Sequence, residues 1–360
     1  MKKDKLTAFS FACLLGSPIF SLFSGVGSYN LIHIAGIDAW ISVLISFIFG
    51  ILPFLIFIYI FNYQPTLNIL EKNKYLFGKY LGTIFNLLIN IFIFFIGIVQ
   101  LFNISNFAIS QFLAETPILW FMILFGLLII YNVYTGIENI SRVAIIFLGV
   151  IIFMTIISTA GLAPTIDTSN LKPYLENGVI PPFKAGLILS ITNVTPIFIL
   201  LIVQKDKISE KQNLPKYFTF FYFLSYLFAF LAIFLCLSSL GIYLCKIYQY
   251  PEYTVLKKIS LFNFIERIEN FIYIKWILNS FIMLSLIIYH LSFSIKKESR
   301  KLIPTISTLL LIFFSSYIFK NNILFYFIGL HYFPIVCLAL FILYLIIGIN
   351  IFIRKRVRLF

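Results

Sequence analysis

Apolar residues run in stretches of about twenty along the whole chain, separated by short polar connectors. About 20 apolar residues cross the hydrocarbon core of a bilayer as a helix. Lipid offers the backbone no hydrogen-bond partners, so helices are the expected form of such segments. The pattern predicts ten of them, at approximately 8–27, 39–61, 81–103, 118–134, 143–163, 185–203, 218–243, 271–295, 303–319 and 331–353. The predicted fold class is an all-α polytopic membrane protein. It forms one integral membrane domain over 1–360, with five helices in 1–163 and five in 164–360.

Two of these segments are interrupted about ten residues in, the first by Gly16-Ser17-Pro18 and the sixth by Thr192-Asn193-Val194-Thr195-Pro196. Proline removes a backbone donor and clashes with the preceding turn, so each segment is expected to unwind there. Unwound backbone is tolerated at membrane depth only where protein or a cavity satisfies it. Each interrupted segment opens one five-helix half. Breaks in matching positions of two halves point to the substrate site of a transporter fold built as a 5+5 inverted repeat.

Composition sharpens this class. Hydrophobic residues make up 61% of the 360 and charged residues 11%, with a mean hydropathy of +1.03. That leaves no room for a separate soluble domain of about 100 residues. The net charge of +14 reads as topology rather than nucleic-acid binding, because the basic residues cluster at segment ends. Alternate connectors hold Lys2, Lys3 and Lys5; Lys72, Lys74 and Lys79; Arg142; Lys205, Lys207, Lys211 and Lys216; Lys296, Lys297, Arg300 and Lys301; and Arg354, Lys355, Arg356 and Arg358. The positive-inside rule then places both termini in the cytoplasm. The start of the chain, Met1-Lys2-Lys3-Asp4-Lys5, reads as the flank of an uncleaved first helix. Cys13, Cys236, Cys245 and Cys337 are scattered through apolar surroundings without metal-ligand spacing, so no metal or cofactor is expected.

Three connectors have character of their own. Residues 62–80, with Leu67, Leu70, Lys72, Lys74 and Lys79, predict a short basic amphipathic helix on the membrane surface. Residues 164–184 are rich in proline and polar groups and read as an external loop. Residues 251–270 predict an external helical hairpin, with Val255, Ile259, Phe262, Ile265 and Ile268 at helical spacing. Such a hairpin folds over an outward-facing site or rests on the membrane surface.

The chemistry these residues offer suits a zwitterion. Around the Gly16-Ser17-Pro18 break, backbone N–H groups freed near Ser17, Ile19 and Phe20 would carry the partial positive charge of a half-helix N-terminus and meet a carboxylate. Thr192, Asn193 and Thr195 offer oxygen acceptors to an ammonium group. Gln100 and Asn103 on the third segment, and Asn279, Met283 and Ser285 on the eighth, complete the candidate ligand site. Lys275 lies inside the eighth segment about one turn from its external end, where its long stem is expected to snorkel. Glu138 and Arg142, four apart on a cytoplasmic turn, are candidates for an ion pair. The sequence carries no nucleophile–base pair, P-loop or paired carboxylates, so an enzyme is not expected.

Several blocks together resemble the GerAB-type spore germination permeases. Ala114-Glu115-Thr116-Pro117-Ile118 is similar to the opening of that family's helix four, and Gly136, Glu138 and Arg142 match the Gly-x-Glu-x-x-x-Arg motif that closes it. Asp38-Ala39-Trp40-Ile41-Ser42 matches the start of helix two, and Asn170-Leu171-Lys172-Pro173 with Gly178 the external loop. Tyr250-Pro251, then Phe264-Ile265-Glu266-Arg267-Ile268-Glu269 and Trp276, match the segment entering helix eight. The blocks run in family order from about residue 14 to 290. The resemblance implies a LeuT-like fold of ten helices with helices one and six broken. It also implies the middle subunit of a nutrient germinant receptor in the inner membrane of a spore, partnered by a larger A subunit and a C-subunit lipoprotein. It makes Glu138 and Arg142 a structural latch or partner contact. Pro18, and the lack of an acidic group at the second break, depart from the family pattern.

Three function classes follow. The leading one is a subunit that senses a small amino-acid-like nutrient on a transporter scaffold. The alternative is a proton- or sodium-coupled amino-acid permease. The third is a structural subunit with an empty site. Scarcity of acidic residues within the spans weighs against proton coupling, which needs Asp, Glu or His there.

Overall fold

In a computed structural model the protein is described over residues 6–259, 269–293 and 302–357. Among these residues the regular elements are helices: α1 (Ala8–Leu22), α2 (Ser28–Ala35), α3 (Ala39–Phe49), α4 (Ile51–Asn62), α5 (Ile69–Gln111), α6 (Ile118–Thr135), α7 (Ile137–Leu162), α8 (Ile180–Val194), α9 (Leu214–Ile247), α10 (Pro251–Leu256), α11 (Asn270–Ser292), α12 (Ile303–Ile318), α13 (Asn322–His331) and α14 (Phe333–Val357). Among the described residues nine helical stretches are long and apolar enough to cross a membrane, and α12 is a shorter apolar helix of 16 residues. The outer helices keep apolar side chains exposed, including Leu124, Leu127 and Leu128 on α6 and Ile146, Phe153 and Ile156 on α7. Such faces suit lipid rather than water.

The two interrupted segments sit at the centre. The window covering α1 is 87% buried and the one covering α8 is 83% buried, against 33% for α6 and 22% for α7. α1 packs on α9, α11 and α7, while α8 packs on α3 and α2. The surrounding helices bend at glycines. α9 leaves helical geometry at Gly241 (φ 75°), which frees the carbonyls of the turn before it. Ser238 O accepts from the Asp167 N–H at 3.1 Å and from Asn170 Nδ2 at 2.8 Å, and Ser239 O accepts from the Lys258 ammonium. The connector after α7 and the one after α9 are thereby tied to the same kink. Gly50 divides α3 from α4, and there Tyr222 and Tyr226 of α9 donate to the carbonyls of Phe47 (2.7 Å) and Ser46 (3.1 Å).

A short helix is present before the third segment, although its Leu70 and Lys72 are buried. It runs from the capping box of Asn68 and Glu71 to Gly78, where a φ of 80° turns the chain into the long part of α5. Buried Lys72 reaches back to the carbonyls of Ile60 (2.9 Å) and Phe61 (3.4 Å) and caps α4. At the N-terminal end of the bundle, Ser209 N–H donates to Leu6 O at 2.8 Å and Asp206 N–H to Pro65 O at 3.2 Å. The chain start and two connectors are laced together there.

Glu138 and Arg142 lie on the first two turns of α7, not at the end of the helix before it. Gly136 (φ 91°) ends α6 and starts α7, so the motif straddles a helix boundary. Both side chains are exposed. Glu138 in the first turn complements the helix dipole. Phe262, Ile265 and Ile268 of the expected hairpin lie outside the described residues, as do Lys2, Lys3, Lys5, Lys296, Lys297, Arg300, Lys301 and Arg358. The first part of that hairpin is the six-residue helix α10.

Candidate functional site

The first helix breaks, but two turns later than Pro18 predicts. α1 continues through Pro18 to Leu22. The backbone leaves helical geometry at Ser24 (ψ 130°) and Gly25 (φ 80°, ψ −92°) and re-enters a helix at Ser28. A proline forfeits one hydrogen bond, which a membrane helix tolerates. The conformation at Gly25 is open only to glycine. The residues expected to end the first segment are therefore the middle of a longer one, Ala8–Ala35.

Side chains meet the freed groups of Ser24 and Gly25 at this break. Asn103 of α5 donates to Ser24 O at 3.0 Å, and Ser28 Oγ donates to Gly25 O at 3.1 Å. Gly25 N–H reaches the Glu252 carboxylate of α10 at 3.4 Å, and the same oxygen shares the single Ser28 hydroxyl hydrogen with Gly25 O. Glu252 is 7% exposed. Burial pushes its carboxyl above the usual range, opposed by the hydrogen bonds from Ser28 and Gly25. An aromatic cluster holds α10 in place. Tyr250 packs against Phe107 (ring centroids 4.8 Å apart) and Trp276 (5.7 Å), and Asn106 donates to the Tyr250 hydroxyl at 2.7 Å. The six residues of α10 thus act as a plug whose one acidic group fits the broken helix.

At the second interruption the helix changes type rather than unwinding as expected. α8 ends at Val194, and Thr195–Ile202 continues as a 3₁₀ helix of eight residues. Runs longer than three or four residues are uncommon, because the hydrogen-bond geometry is poorer. Buried polar atoms gather along it. Both amide atoms of Asn193 and Thr195 Oγ1 have no partner, and His290 of α11 turns Nδ1 to Ile199 O at 3.2 Å while its Nε2 has none. Unsatisfied buried groups of this kind cost roughly 1–3 kcal/mol each. Thr192 hydroxyl bonds back to Ile188 O at 3.0 Å, the usual arrangement for threonine in a helix.

Two cavities lie along one groove between α1, α7, α9 and α11. The mid-helix cavity, about 30 Å³, brings Gly16 and Ser17 of α1 together with Asn279 of α11, beside Ser225 and Phe228 of α9. The connector-side cavity, about 50 Å³, is lined by Ser24, Thr155, Ser158, Phe228, Glu252 and Lys275, among others. Phe228 borders both. Ser17 and Ser24 are seven residues apart, about 10 Å along the axis of α1.

The other expected site residues are dispersed. Gln100 donates to Ser280 Oγ at 2.8 Å, next to Asn279, whose own amide donates to Lys275 O at 3.0 Å. Met283 and Pro18 are buried in the bundle, outside both cavities. Thr192 lines a small separate space with Gly27 and Asn30 of the second half-helix. Lys275 does not snorkel. It is 5% exposed, faces the connector-side cavity, and no acceptor among the described residues reaches its ammonium group. The sequence reading missed Glu252 altogether. Its only local signal is an acidic residue after a helix-starting proline, and its partners are more than 220 positions away.

A family model described as Spore germination protein matches residues 6–323. Spore germination protein KB of Bacillus subtilis (strain 168) is 26% identical over 262 residues, covering 71% of this chain and 69% of that protein. Spore germination protein XB of Bacillus anthracis is 22% identical over 328 residues, 89% of this chain and 90% of the relative. Spore germination protein YndE of Bacillus subtilis (strain 168) is 24% identical over 274 residues, with coverage of 73% and 72%.

Proposed function

The chain belongs to the spore germination protein family, and from that premise we propose that it is the integral membrane subunit of a nutrient germinant receptor. It binds a small germinant, an amino acid, and so triggers germination. Its site is the groove between the broken first helix and its neighbours. The observation that carries this reading is the mid-helix cavity, where Gly16, Ser17 and Asn279 meet, together with the unpartnered, buried polar atoms of Asn193 and Thr195 on the other interrupted helix. Polar atoms left without partners in a packed bundle are what a bound polar molecule would satisfy.

On this reading the halves 1–163 and 164–360 form the 5+5 inverted repeat. The protein resides in the spore inner membrane with both termini cytoplasmic, and α10 covers the site from outside. Its partners are a receptor A subunit and a C-subunit lipoprotein, met in part through the exposed Glu138 and Arg142. The permease alternative gains one specific observation, since buried Glu252 at the helix break is an acidic group of the kind that proton coupling requires.

Spores carrying Gly16→Leu or Asn193→Ala test the reading. A leucine at 16 would occupy the mid-helix cavity, so the response to amino acids should be lost while the protein stays in the membrane. Asn193→Ala should weaken it about ten- to hundredfold, the equivalent of one hydrogen bond to a charged group. Normal abundance with an unchanged response in both variants would refute a site in this groove. Concentrative uptake of labelled amino acid by proteoliposomes would favour the permease.

A further inference from the structure

The connector-side cavity holds two oppositely charged side chains that are not paired with each other. Glu252 and Lys275 both line it, both are more than nine-tenths buried, and no ion pair joins them. The hydrogen bonds to the Glu252 carboxyl come from Gly25 and Ser28 and go to a single oxygen, Oε1. The ammonium of Lys275 has no acceptor among the described residues. A buried, unpartnered ammonium is costly in any protein and is rare within a membrane span. Packing alone would be served as well by methionine or leucine at this position, because replacing buried charge with apolar groups is often neutral or stabilising. The rest of the lining is apolar or hydroxylic: Phe23, Leu231, Leu235 and Ile272 with Ser24, Thr155 and Ser158.

We propose that this cavity is a recognition site for the charged head of a small α-amino acid, whose carboxylate meets Lys275 Nζ and whose ammonium meets the Glu252 carboxylate. The proposal rests on the reading that the chain receives a small nutrient, and it adds two residues and a second station to that reading. A zwitterion neutralises both side chains at once, whereas a simple anion or cation leaves one charge buried and alone. The space of about 50 Å³ exceeds the roughly 10–15 Å³ that one water requires, yet remains small. It therefore favours glycine or alanine over a bulky side chain. Ser24 and Glu252 meet at the broken helix, so occupancy here bears directly on the break. Phe228 stands between this site and the mid-helix cavity.

The test uses the full-length protein reconstituted in lipid nanodiscs, with glycine and alanine as ligands and acetate and methylamine as one-charge controls. Binding is read as a concentration-dependent rise in unfolding temperature. Glu252→Gln keeps an oxygen acceptor for Gly25 and Ser28 but removes the charge. Lys275→Met keeps the length and removes the ammonium. Each should weaken glycine and alanine binding at least tenfold. The controls should divide, with acetate binding only to Glu252→Gln, where the uncompensated carboxylate is gone, and methylamine only to Lys275→Met. Ala232→Leu fills the same cavity without touching either charge, and should also block both amino acids, so the test does not depend on the charge variants folding. Wild-type binding that all three variants retain at unchanged affinity overturns this site and leaves the nutrient reading standing. A wild-type protein that binds neither amino acid overturns both.

Discussion

Gly25→Ala is the sharpest test of where the first helix breaks. Gly25 has φ 80° and ψ −92°, a conformation that costs an L-residue roughly 1–3 kcal/mol. A Cβ there would stand 2.6 Å from Trp276 Cη2, 2.7 Å from Trp276 Cζ2 and 2.7 Å from Asn103 Oδ1. The ring is wedged against Phe107, with centroids 4.4 Å apart, and Asn103 is tied to Ser24 O, so neither gives way freely. Overpacking of this sort costs about 1–3 kcal/mol. The two effects together come to about 2–6 kcal/mol, a large share of the roughly 5–15 kcal/mol that holds a folded domain together. Gly16→Ala is the control. Its nearest neighbours would be Ser225 Oγ at 3.3 Å and Phe221 Cδ1 at 3.9 Å, and it has no unusual backbone angle. Alanine is also the better helix former by about 1 kcal/mol, so little net change is expected. Heat unfolding of purified protein and abundance in membranes should show a heavy loss for Gly25→Ala and near wild-type behaviour for Gly16→Ala. Wild-type stability of Gly25→Ala, or a larger loss for Gly16→Ala, would refute a break at Ser24–Gly25.

Burial raises the Glu252 carboxyl above its unfolded value, so between those two values the folded state holds more protons than the unfolded one. This contribution to stability is therefore full below the unfolded carboxyl range and falls as pH rises toward the folded value. Unfolding temperatures across a pH series should show the decline in wild type and a flatter profile in Glu252→Gln, and identical profiles would count against it. Asn193→Leu should raise unfolding temperature, because it removes two unpartnered polar atoms, while lowering the germination response; a rise without functional loss would remove Asn193 from the site. Glu138→Ala and Arg142→Ala should reduce co-purification of the receptor partners more than ligand affinity, since both lie on an exposed turn away from the cavities. Unimpaired assembly of both variants would dismiss that surface. A cysteine at Lys257, in a background without native cysteines, should be labelled by an impermeant thiol reagent from outside the cell; labelling only after permeabilisation would reverse the orientation.

Segments were legible because hydropathy acts locally. The sixth-segment break was legible for the same reason, as Pro196 cannot donate and the helix changes type beside it. The first break was misplaced because Pro18 is the louder signal, yet the helix absorbs it. What opens the backbone at Gly25 is support from Asn103 and Glu252, which arrive from other parts of the chain. Lys275 and Glu252 show the same limit. One reads as a snorkelling lysine and the other as a loop acid, and only packing puts both into one cavity. Ser17 and Asn279 could be nominated by type, but their meeting depends on how α1 crosses α11.

The eight-residue 3₁₀ run after Val194 also sets a length. A 3₁₀ helix rises about 2.0 Å per residue and an α-helix about 1.5 Å, so Thr195–Ile202 is about 4 Å longer than the same residues wound as α. Rewinding it would draw Val203 and the 204–209 connector toward the bundle centre by that amount. Residues 206 and 209 of that connector hold Pro65 and Leu6. Any recoil of the sixth helix to α geometry would therefore pull on the lacing at the N-terminal end of the bundle.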